Sequence, residues 1–179
     1  MRWNLDPAHS SVEFSVRHMG FATVRGRFKG FSVDVESDDD NRLSRLSARI
    51  EAASIDTGEP QRDQHLRSDD FLAAERFPEL RFEGSRIEVT GEDRYRVSGD
   101  LTIRGTAKPV SFDVEVQKPI NDPFGNVRVA AEATGRLNRK DWGLNWNQVL
   151  EAGALLVGEE VRFTIDLQAI AAQEAAVSR

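Results

Sequence analysis

The chain has 179 residues, of which 39% are hydrophobic and 30% are charged, a balance that predicts one globular domain and argues against a disordered, collagen-like or polytopic membrane chain. Its 24 Lys and Arg residues against 30 Asp and Glu residues give a net charge of −6. Because no basic patch stands out in the sequence, this charge argues against nucleic acid as a partner. The sequence contains no cysteine, which excludes disulfides, thiolate nucleophiles and Cys-ligated metal centres.

Alternating apolar residues predict β-strands along most of the chain. Every second residue from Val12 to His18 lies on one face, which predicts a half-buried strand over 11–18. The next alternating run starts at Val24 and changes phase after Gly30, which predicts a bulge or a glycine bend. The other apolar faces, which bring the expected total to nine or ten strands, are Ala48/Ile50/Ala52, Leu80/Phe82, Ile87/Val89, Val97/Gly99/Leu101/Ile103, Val110/Phe112/Val114/Val116, Val127/Val129/Ala131/Ala133 and Val161/Phe163/Ile165/Leu167.

Turn-forming residues separate these strands at 37–42, 90–93, 104–109 and 121–126, and most connections are short enough for antiparallel hairpins. Sequential hairpins close either as an up-and-down barrel or as a two-sheet sandwich. We favour the barrel, and the mixture of Gly and Ala with Phe and Val on the inward faces leaves room for a cavity.

A first insertion, at 54–78, interrupts the strand pattern. It predicts two short helices, Glu59 to Leu66 and Ser68 to Arg76, the second capped by Ser68 and ended by Pro78. Helical spacing pairs Asp63 with Arg67 and places Arg62 and Asp69 on one face. Salt bridges from Arg62 and Asp63 are expected to tie the insertion to the rim of the barrel.

A second insertion, at 138–160, contains two of the three tryptophans. Trp142 and Trp146 are four residues apart and would share one face if this segment were helical, forming an apolar plug at one end of a barrel. The two readings, a lid packed on the core and a wall of a pocket, are compatible with the same residues.

Six ordered motifs carry a family resemblance. They are WNLDPAHSSVEFSVRHMG at the start, VRGRFKGF at 24–31, SIDTGEPQRDQHLRSDDF at 54–71, RFPELRF at 76–82, GDLTIRGTAKPV at 99–110 and NRKDWGLNWN at 138–147. Over residues 3–170 the chain resembles the YceI-like, polyisoprenoid-binding family. The resemblance implies an all-β, extended lipocalin-like antiparallel barrel of about eight strands, with short helical insertions and an apolar pore that holds a long-chain isoprenoid or other amphiphilic lipid.

The boundaries and location follow from the same motifs. We expect one domain over 1–170 and a flexible C-terminal tail over 171–179. Many members of the family are periplasmic, but this sequence starts directly at the WNLDPAHS motif with no signal peptide or membrane span. We therefore expect a cytoplasmic protein, and the resemblance allows a homodimer.

Candidate binding residues are those on the inward faces and in the two insertions. The predicted pore residues are Val12, Phe14, Val16, Phe28, Ile50, Phe71, Phe82, Leu101, Ile103, Phe112, Val114, Val129, Trp142, Trp146, Phe163 and Ile165. The predicted head-group residues are His18, Arg62, Arg67 and Arg139. His18 ends an apolar stripe where a pore would open, although a core histidine bonded to a backbone carbonyl fits its position equally well.

Catalysis and metal binding have weaker support. Asp63 and His65 are two residues apart and would point to different sides of a helix, so they form a poor acid–base dyad. The three histidines, at 9, 18 and 65, lack metal-ligand spacing, and phosphate-binding glycine loops are absent. We expect no catalytic residues, no metal and no cofactor.

The leading hypothesis is a carrier or store for a long apolar lipid of the polyisoprenoid, isoprenoid quinone or fatty amide type. The physical reason is that an apolar pore removes about 0.8 kcal/mol of unfavourable hydration for each buried CH₂. The alternatives are an enzyme or sensor acting on isoprenoid lipids, for which His18 is the one inward candidate base, and a ligand-free barrel that binds a protein partner.

Overall fold

A computed structural model describes residues 1–150, 153 and 155–172 of the chain. One antiparallel β-sheet contains most of these residues. Its strands are β1 (Arg2–Leu5), β2 (Ser11–His18), β3 (Ala22–Phe28), β4 (Phe31–Ser37), β5 (Leu43–Glu51), β6 (Ile55–Asp56), β7 (Glu79–Gly91), β8 (Arg94–Ile103), β9 (Thr106–Val116), β10 (Ile120–Asn121), β11 (Val127–Asn138) and β12 (Val157–Ala171). A helix, α1 (Pro60–Arg67), and 3₁₀ turns at Pro7–His9, Ala52–Ser54 and Arg139–Trp142 complete the fold.

The sheet closes into a barrel. The strand order is β10-β11-β9-β8-β7-β5-β4-β1-β12-β2-β3-β6, and β11 also pairs with β12, which joins the two ends. β1 and β2 both pair with β12, so they are two halves of one interrupted strand, and β3 and β4 form a second such pair. When each interrupted pair is counted as one strand and the two-residue strands β6 and β10 are left out, the barrel has eight strands, which confirms the predicted fold class.

Two interruptions shape the long strands. β3 ends at Phe28 and β4 begins at Phe31, so the bend predicted after Gly30 lies at this point. Between β1 and β2, Asp6 accepts a hydrogen bond of 2.6 Å from Arg128 Nη1 on β11. This interaction, together with His9, lowers the pKa of Asp6 to about 2. The ion pair between Asp6 and Arg128 crosses β12. It connects the segment between β1 and β2 to β11, which pairs with the other edge of β12.

The first insertion differs from the prediction. The first helix is present as α1, but residues 68–76 form turns, and Ser68 ends α1 where we expected it to begin a second helix. Phe71, Leu72, Ala73 and Ala74 are all buried, and a surface helix cannot bury four consecutive residues because only one of its faces meets the core. Ala73 adopts a left-handed backbone conformation with φ of 47°, which breaks the helical path.

The remaining sequence predictions have mixed outcomes. The second insertion contains a 3₁₀ turn that ends at Trp142, where Gly143 takes a left-handed conformation, so Trp142 and Trp146 do not share a helix face. β12 extends to Ala171, and the rest of the predicted tail, 173–179, lies outside the described residues. No helix in the described part of the chain is long and apolar enough to span a membrane.

Candidate functional site

The inward side chains form three levels along the barrel axis, and β12 displays them in order. Val161 and Phe163 line a cavity at one end of the barrel. Ile165 lines neither this cavity nor the one at the opposite end, which Leu167 lines. We call these levels the mouth cavity, the middle layer and the far cavity.

The mouth cavity has a volume of about 350 Å³ and a mostly apolar wall, a size typical of small-molecule sites. It lies at the end of the barrel that is covered by the two insertions, the first of which contains α1. Nine of the predicted pore residues line it: Phe14, Val16, Phe28, Ile50, Phe71, Leu101, Ile103, Trp146 and Phe163. Several of these aromatic and aliphatic side chains are only half-buried because one side of each faces the open cavity.

The middle layer separates the two cavities and is packed with aromatic rings. The ring centroids of Phe82 and Phe112 are 5.1 Å apart, and those of Phe112 and Phe163 are 5.8 Å apart. Two inward glycines receive these rings: a Cβ on Gly99 would lie 2.8 Å from Phe82 Cζ, and one on Gly135 would lie 2.5 Å from Phe163 Cζ. Phenyl rings fill the space that the glycines provide, so these small residues do not widen a cavity.

Contrary to the prediction, four of the expected pore residues line neither cavity. They are Val12, Phe82, Phe112 and Ile165. Two others, Val114 and Val129, line the far cavity, which has a volume of about 420 Å³ and includes Trp3, Leu46 and Tyr95 in its wall. Period-2 alternation predicts whether a side chain points inward, but its depth depends on strand tilt and stagger.

Trp142 is also placed differently from the prediction. It is buried in the same core cluster as Leu72 and Leu144, which line the mouth cavity, but Trp142 does not line the cavity itself. Its indole Nε1 donates a hydrogen bond of 2.8 Å to the carbonyl oxygen of Leu101 on β8. Trp142 therefore fixes the second insertion to the barrel, while Trp146 forms part of the cavity wall.

Among the predicted head-group residues, His18, Arg62 and Arg139 line the mouth cavity, whereas Arg67 does not. The Arg139 side chain is buried, and its guanidinium donates hydrogen bonds to four backbone carbonyls: those of Leu144, Trp146, Val157 and Gly158. Burial lowers the pKa of Arg139. Because its donors are committed to these carbonyls, Arg139 stabilises the wall, and the geometry argues against a head-group role.

Arg62 and Asp63 hold α1 on the rim of the barrel through Thr57. Asp63 Oδ1 accepts hydrogen bonds from the backbone N and Oγ1 of Thr57, at 2.9 and 2.5 Å. Arg62 donates to Thr57 Oγ1 and to the Thr57 carbonyl, at 2.7 and 2.9 Å. The predicted attachment of the insertion is present, but it consists of hydrogen bonds to one threonine, in place of the expected salt bridges and of the Asp63–Arg67 pair.

His65 is a mouth residue that the prediction of head-group residues missed. Its Nε2 lies 2.8 Å from Asp70 Oδ2, so its carboxylate partner is Asp70 and not the neighbouring Asp63. Its ring meets the rings of Trp146 and Phe71 edge to face, with centroids 4.6 and 5.1 Å apart. The five-residue spacing of His65 and Asp70 is visible in the sequence, but the contact with Trp146 joins two insertions and has no sequence signal.

The other missed residues complete the wall and the rim of the mouth cavity. The apolar ones are Val24, Ile55, Leu66, Leu72, Leu80, Leu137, Leu144, Leu156, Val157 and Val161, and the polar ones are Arg17 and Thr57. Alternation marked Val24, Leu80 and Val161 as inward, while residues in loops such as Leu144 and Leu156 carry no periodic signal. Within residues 1–150, 153 and 155–172, no group of three or more His, Asp or Glu side chains is placed to hold a metal ion.

Comparisons with known proteins agree with this architecture. A family model described as the YceI-like domain matches residues 3–169. A UPF0312 protein of Staphylococcus aureus (strain N315) is 36% identical over 163 residues, which cover 90% of this chain and 92% of the relative. Burkholderia cenocepacia BcnA has a TM-score of 0.80 at 23% identity, covering 92% of this chain and 99% of that one.

A fourth comparison concerns a polyisoprenoid-binding domain from Saccharophagus degradans, which is implicated in plant cell wall breakdown. It has a TM-score of 0.70 at 16% identity and covers 95% of this chain and 98% of that domain. The likeness to these solved structures extends over nearly the whole barrel and shows a shared fold.

Proposed function

Because the chain belongs to the YceI-like family, we propose that it binds a long-chain apolar lipid in the mouth cavity and acts as a carrier or store. The observation that carries the proposal is an apolar cavity of about 350 Å³ with basic side chains at its rim. The polyisoprenoid-binding domain of Saccharophagus degradans, which has the same fold, supports a ligand of the polyisoprenoid, isoprenoid quinone or fatty amide type.

The energetic case rests on the wall of the cavity. About ten methylene groups moved from water into such a site contribute roughly 8 kcal/mol, which corresponds to a Kd of about 1 μM before ordering costs. All five of His18, Arg62, Phe14, Phe28 and Leu101 line the cavity. In this proposal His18 and Arg62 meet a polar or anionic head, and the tail lies on Phe14, Phe28 and Leu101. Tail length then determines most of the affinity, and the head group determines the orientation of the ligand.

The first test is to extract the purified protein with organic solvent and to identify the lipid by mass spectrometry. We expect about one lipid per chain, and native mass spectrometry should show the same stoichiometry. If only the apo mass were found after expression in several hosts without detergent, the carrier proposal would be wrong.

The second test uses a matched pair of substitutions to locate the ligand. Val16 lines the mouth cavity and Val114 lines the far cavity. We expect Val16→Trp to abolish lipid loading, because the indole occupies the space of the tail, while Val114→Trp retains it. The opposite pattern would place the ligand in the far cavity and overturn the assignment of the site.

An enzyme acting on isoprenoid lipids is the alternative from another functional class. None of the relatives named above carries the name of an enzyme. A single-turnover assay with the extracted lipid, followed by mass spectrometry of the products, separates the two functions. A carrier returns the lipid unchanged.

A further inference from the structure

We propose that the tip of the β2–β3 hairpin docks the mouth of the barrel onto an anionic bilayer surface, from which the lipid enters the cavity. This inference rests on the proposed function and adds the partner from which the ligand is taken. Three observations carry it: exposed apolar side chains at the tip, their connection to the wall of the mouth cavity, and local positive charge.

The apolar side chains at the mouth are unusually exposed. Phe21 is 77% exposed and Met19 is 39% exposed, both in the turn between β2 and β3. Met19 holds a left-handed backbone conformation with φ of 56°, which Gly or Asn adopts at lower cost. The exposed ring and the methionine in a left-handed conformation lie in one turn that directly follows His18 of the cavity wall.

Two further exposed apolar residues, Val149 and Leu155, lie near the β2–β3 turn. Val149 is 70% exposed and Leu155 is 39% exposed, and the two residues form an antiparallel bridge. Leu155 is close to the β2–β3 turn, because the backbone N of Met19 donates a hydrogen bond of 2.9 Å to the carbonyl oxygen of its neighbour Leu156. Four exposed apolar side chains therefore lie at one end of the barrel.

This surface is continuous with the mouth cavity. His18 and Leu156, the neighbours of Met19 and Leu155 in the chain, both line the cavity. Arg17 also lines it, and its Nη1 donates a hydrogen bond of 3.2 Å to the carbonyl oxygen of Phe21. The exposed side chains of Met19 and Phe21 therefore closely follow, in the chain, two residues of the cavity wall, Arg17 and His18.

The charge of the hairpin selects an anionic bilayer as the occupant. Residues 11–29 contain four cations, Arg17, Arg25, Arg27 and Lys29, against the single acid Glu13, so the segment carries +3 on a chain of net charge −6. Arg27 and Lys29 pair with Asp56, whereas Arg17 and Arg25 form no ion pair with any other residue that the structure describes.

Each cation near an anionic leaflet strengthens surface binding by about fivefold, and an aromatic side chain beside such cations inserts at the interface. The amino-acid sequence hides this patch because the β2 cation and the β3 cations are separated by the turn. In the β2–β3 ladder Arg17 lies opposite Thr23 and Arg25 opposite Ser15, so these two cations are nearer to Phe21 than Arg27, which lies opposite Glu13.

The test compares two phenylalanines of similar exposure at different places. Phe124 is 87% exposed in the β10–β11 turn and is remote from the mouth cavity. We expect Phe21→Ser to weaken co-sedimentation with vesicles of phosphatidylcholine and phosphatidylglycerol about tenfold, and Phe124→Ser to leave it unchanged. Arg25→Gln should weaken it about fivefold, and binding to phosphatidylcholine alone should be weak for every variant.

A second measurement separates docking from ligand binding. A fluorescent prenyl phosphate is offered either dispersed from ethanol or embedded in the same vesicles. We expect Phe21→Ser to bind the dispersed lipid like the wild type but to extract it from vesicles about tenfold more slowly. If the wild type failed to bind the dispersed lipid, the proposed function would be wrong, while the co-sedimentation result would still decide docking.

Two outcomes would overturn the docking proposal. The first is equal behaviour of Phe21→Ser, Phe124→Ser and the wild type in both vesicle assays. The second is a wild-type dimer that Phe21→Ser converts to a monomer in sedimentation velocity, without any vesicle binding by the wild type. That result would assign the exposed surface to a contact between two copies of the chain.

Discussion

Phe112 lines neither cavity but packs against Phe163 in the wall of the mouth cavity, and its removal should change the preferred length of the ligand. Its ring lies between those of Phe82 and Phe163 in the middle layer. Phe112→Ala would open a passage between cavities of about 350 and 420 Å³. The substitution converts two short sites into one long site.

The magnitude follows from two opposing terms. Truncating a buried phenylalanine to alanine costs about 3–5 kcal/mol, which at about 2–4 °C per kcal/mol lowers the Tm of the apo protein by roughly 6–20 °C. One additional isoprene unit of five carbons in the joined space contributes up to about 4 kcal/mol at ~0.8 kcal/mol per carbon. That contribution is close to a thousandfold in Kd.

The assay is a displacement titration with prenyl phosphates of increasing chain length. The wild type should gain little affinity beyond the length that fills the mouth cavity, and Phe112→Ala should continue to gain. Phe77→Ala is the control, because Phe77 packs against Gly105 outside both cavities and its loss destabilises the fold without joining them. A folded Phe112→Ala with the wild-type length preference, or an equal shift in both variants, would refute the partition.

Three further predictions concern the wall, the strand break and the rim. Arg139→Lys should lose most of the hydrogen bonds to backbone carbonyls and so lower the free energy of unfolding by about 3 kcal/mol or more, which a denaturant titration measures. It should also lower the amount of bound lipid, which solvent extraction measures. Asp6→Asn should lower the Tm at neutral pH. Arg128 lowers the pKa of Asp6 in the folded protein to about 2, below the unfolded value of ~3.9. The ionised Asp6 therefore stabilises the fold above pH ~4, and this contribution disappears toward pH ~2. The Tm values of the variant and the wild type should converge at that pH. His18→Ala should weaken binding of an anionic prenyl phosphate about tenfold more than that of the neutral alcohol. Arg67→Ala should affect neither ligand, because Arg67 does not line the cavity.

Alternation in the sequence predicted the strands and their inward faces, whereas it only favoured the barrel over a sandwich, and the family resemblance implied the closed barrel. The strand over 11–18 matches β2 at both ends, and the change of phase after Gly30 matches the break between β3 and β4. These features are local, because a strand that buries one face must alternate wherever it lies in the sheet.

Depth within the barrel could not be predicted in the same way. Val16 and Val114 have the same residue type and the same alternation, yet one lines the mouth cavity and the other lines the far cavity. Their levels depend on how eight strands are staggered around the barrel, a property of the closed sheet. The inward glycines also do not provide the expected space for a cavity. Phenyl rings from neighbouring strands occupy the space beside Gly99 and Gly135.

Charge was equally ambiguous in the sequence. Arg139 and Arg62 both lie in insertions and both line the mouth cavity. In the fold, Arg139 is surrounded by the carbonyl oxygens of its own loop and of β12 and donates hydrogen bonds to them. Arg62 instead lies on the exposed side of α1, where it donates a hydrogen bond to Thr57. Which cation is available to a ligand depends on the backbone groups around it.

The separate positions of His18 and Phe21 predict that they control different steps. In a bilayer the polar head of a lipid lies at the surface with its tail below. A barrel docked through Phe21 would let the head remain beside His18 while the tail moves from the bilayer into the mouth cavity without crossing water. The equilibrium affinity then depends on His18, and the rate of extraction depends on Phe21.

A double variant tests this separation. His18→Ala should raise the Kd for dispersed prenyl phosphate, Phe21→Ser should slow extraction from vesicles, and the double variant should show both changes with the size each has alone, because independent steps give additive free energies. An interaction energy well above the ~0.5 kcal/mol expected of independent sites would show that the two residues act in one step. Docking through the hairpin tip would then be part of ligand binding itself.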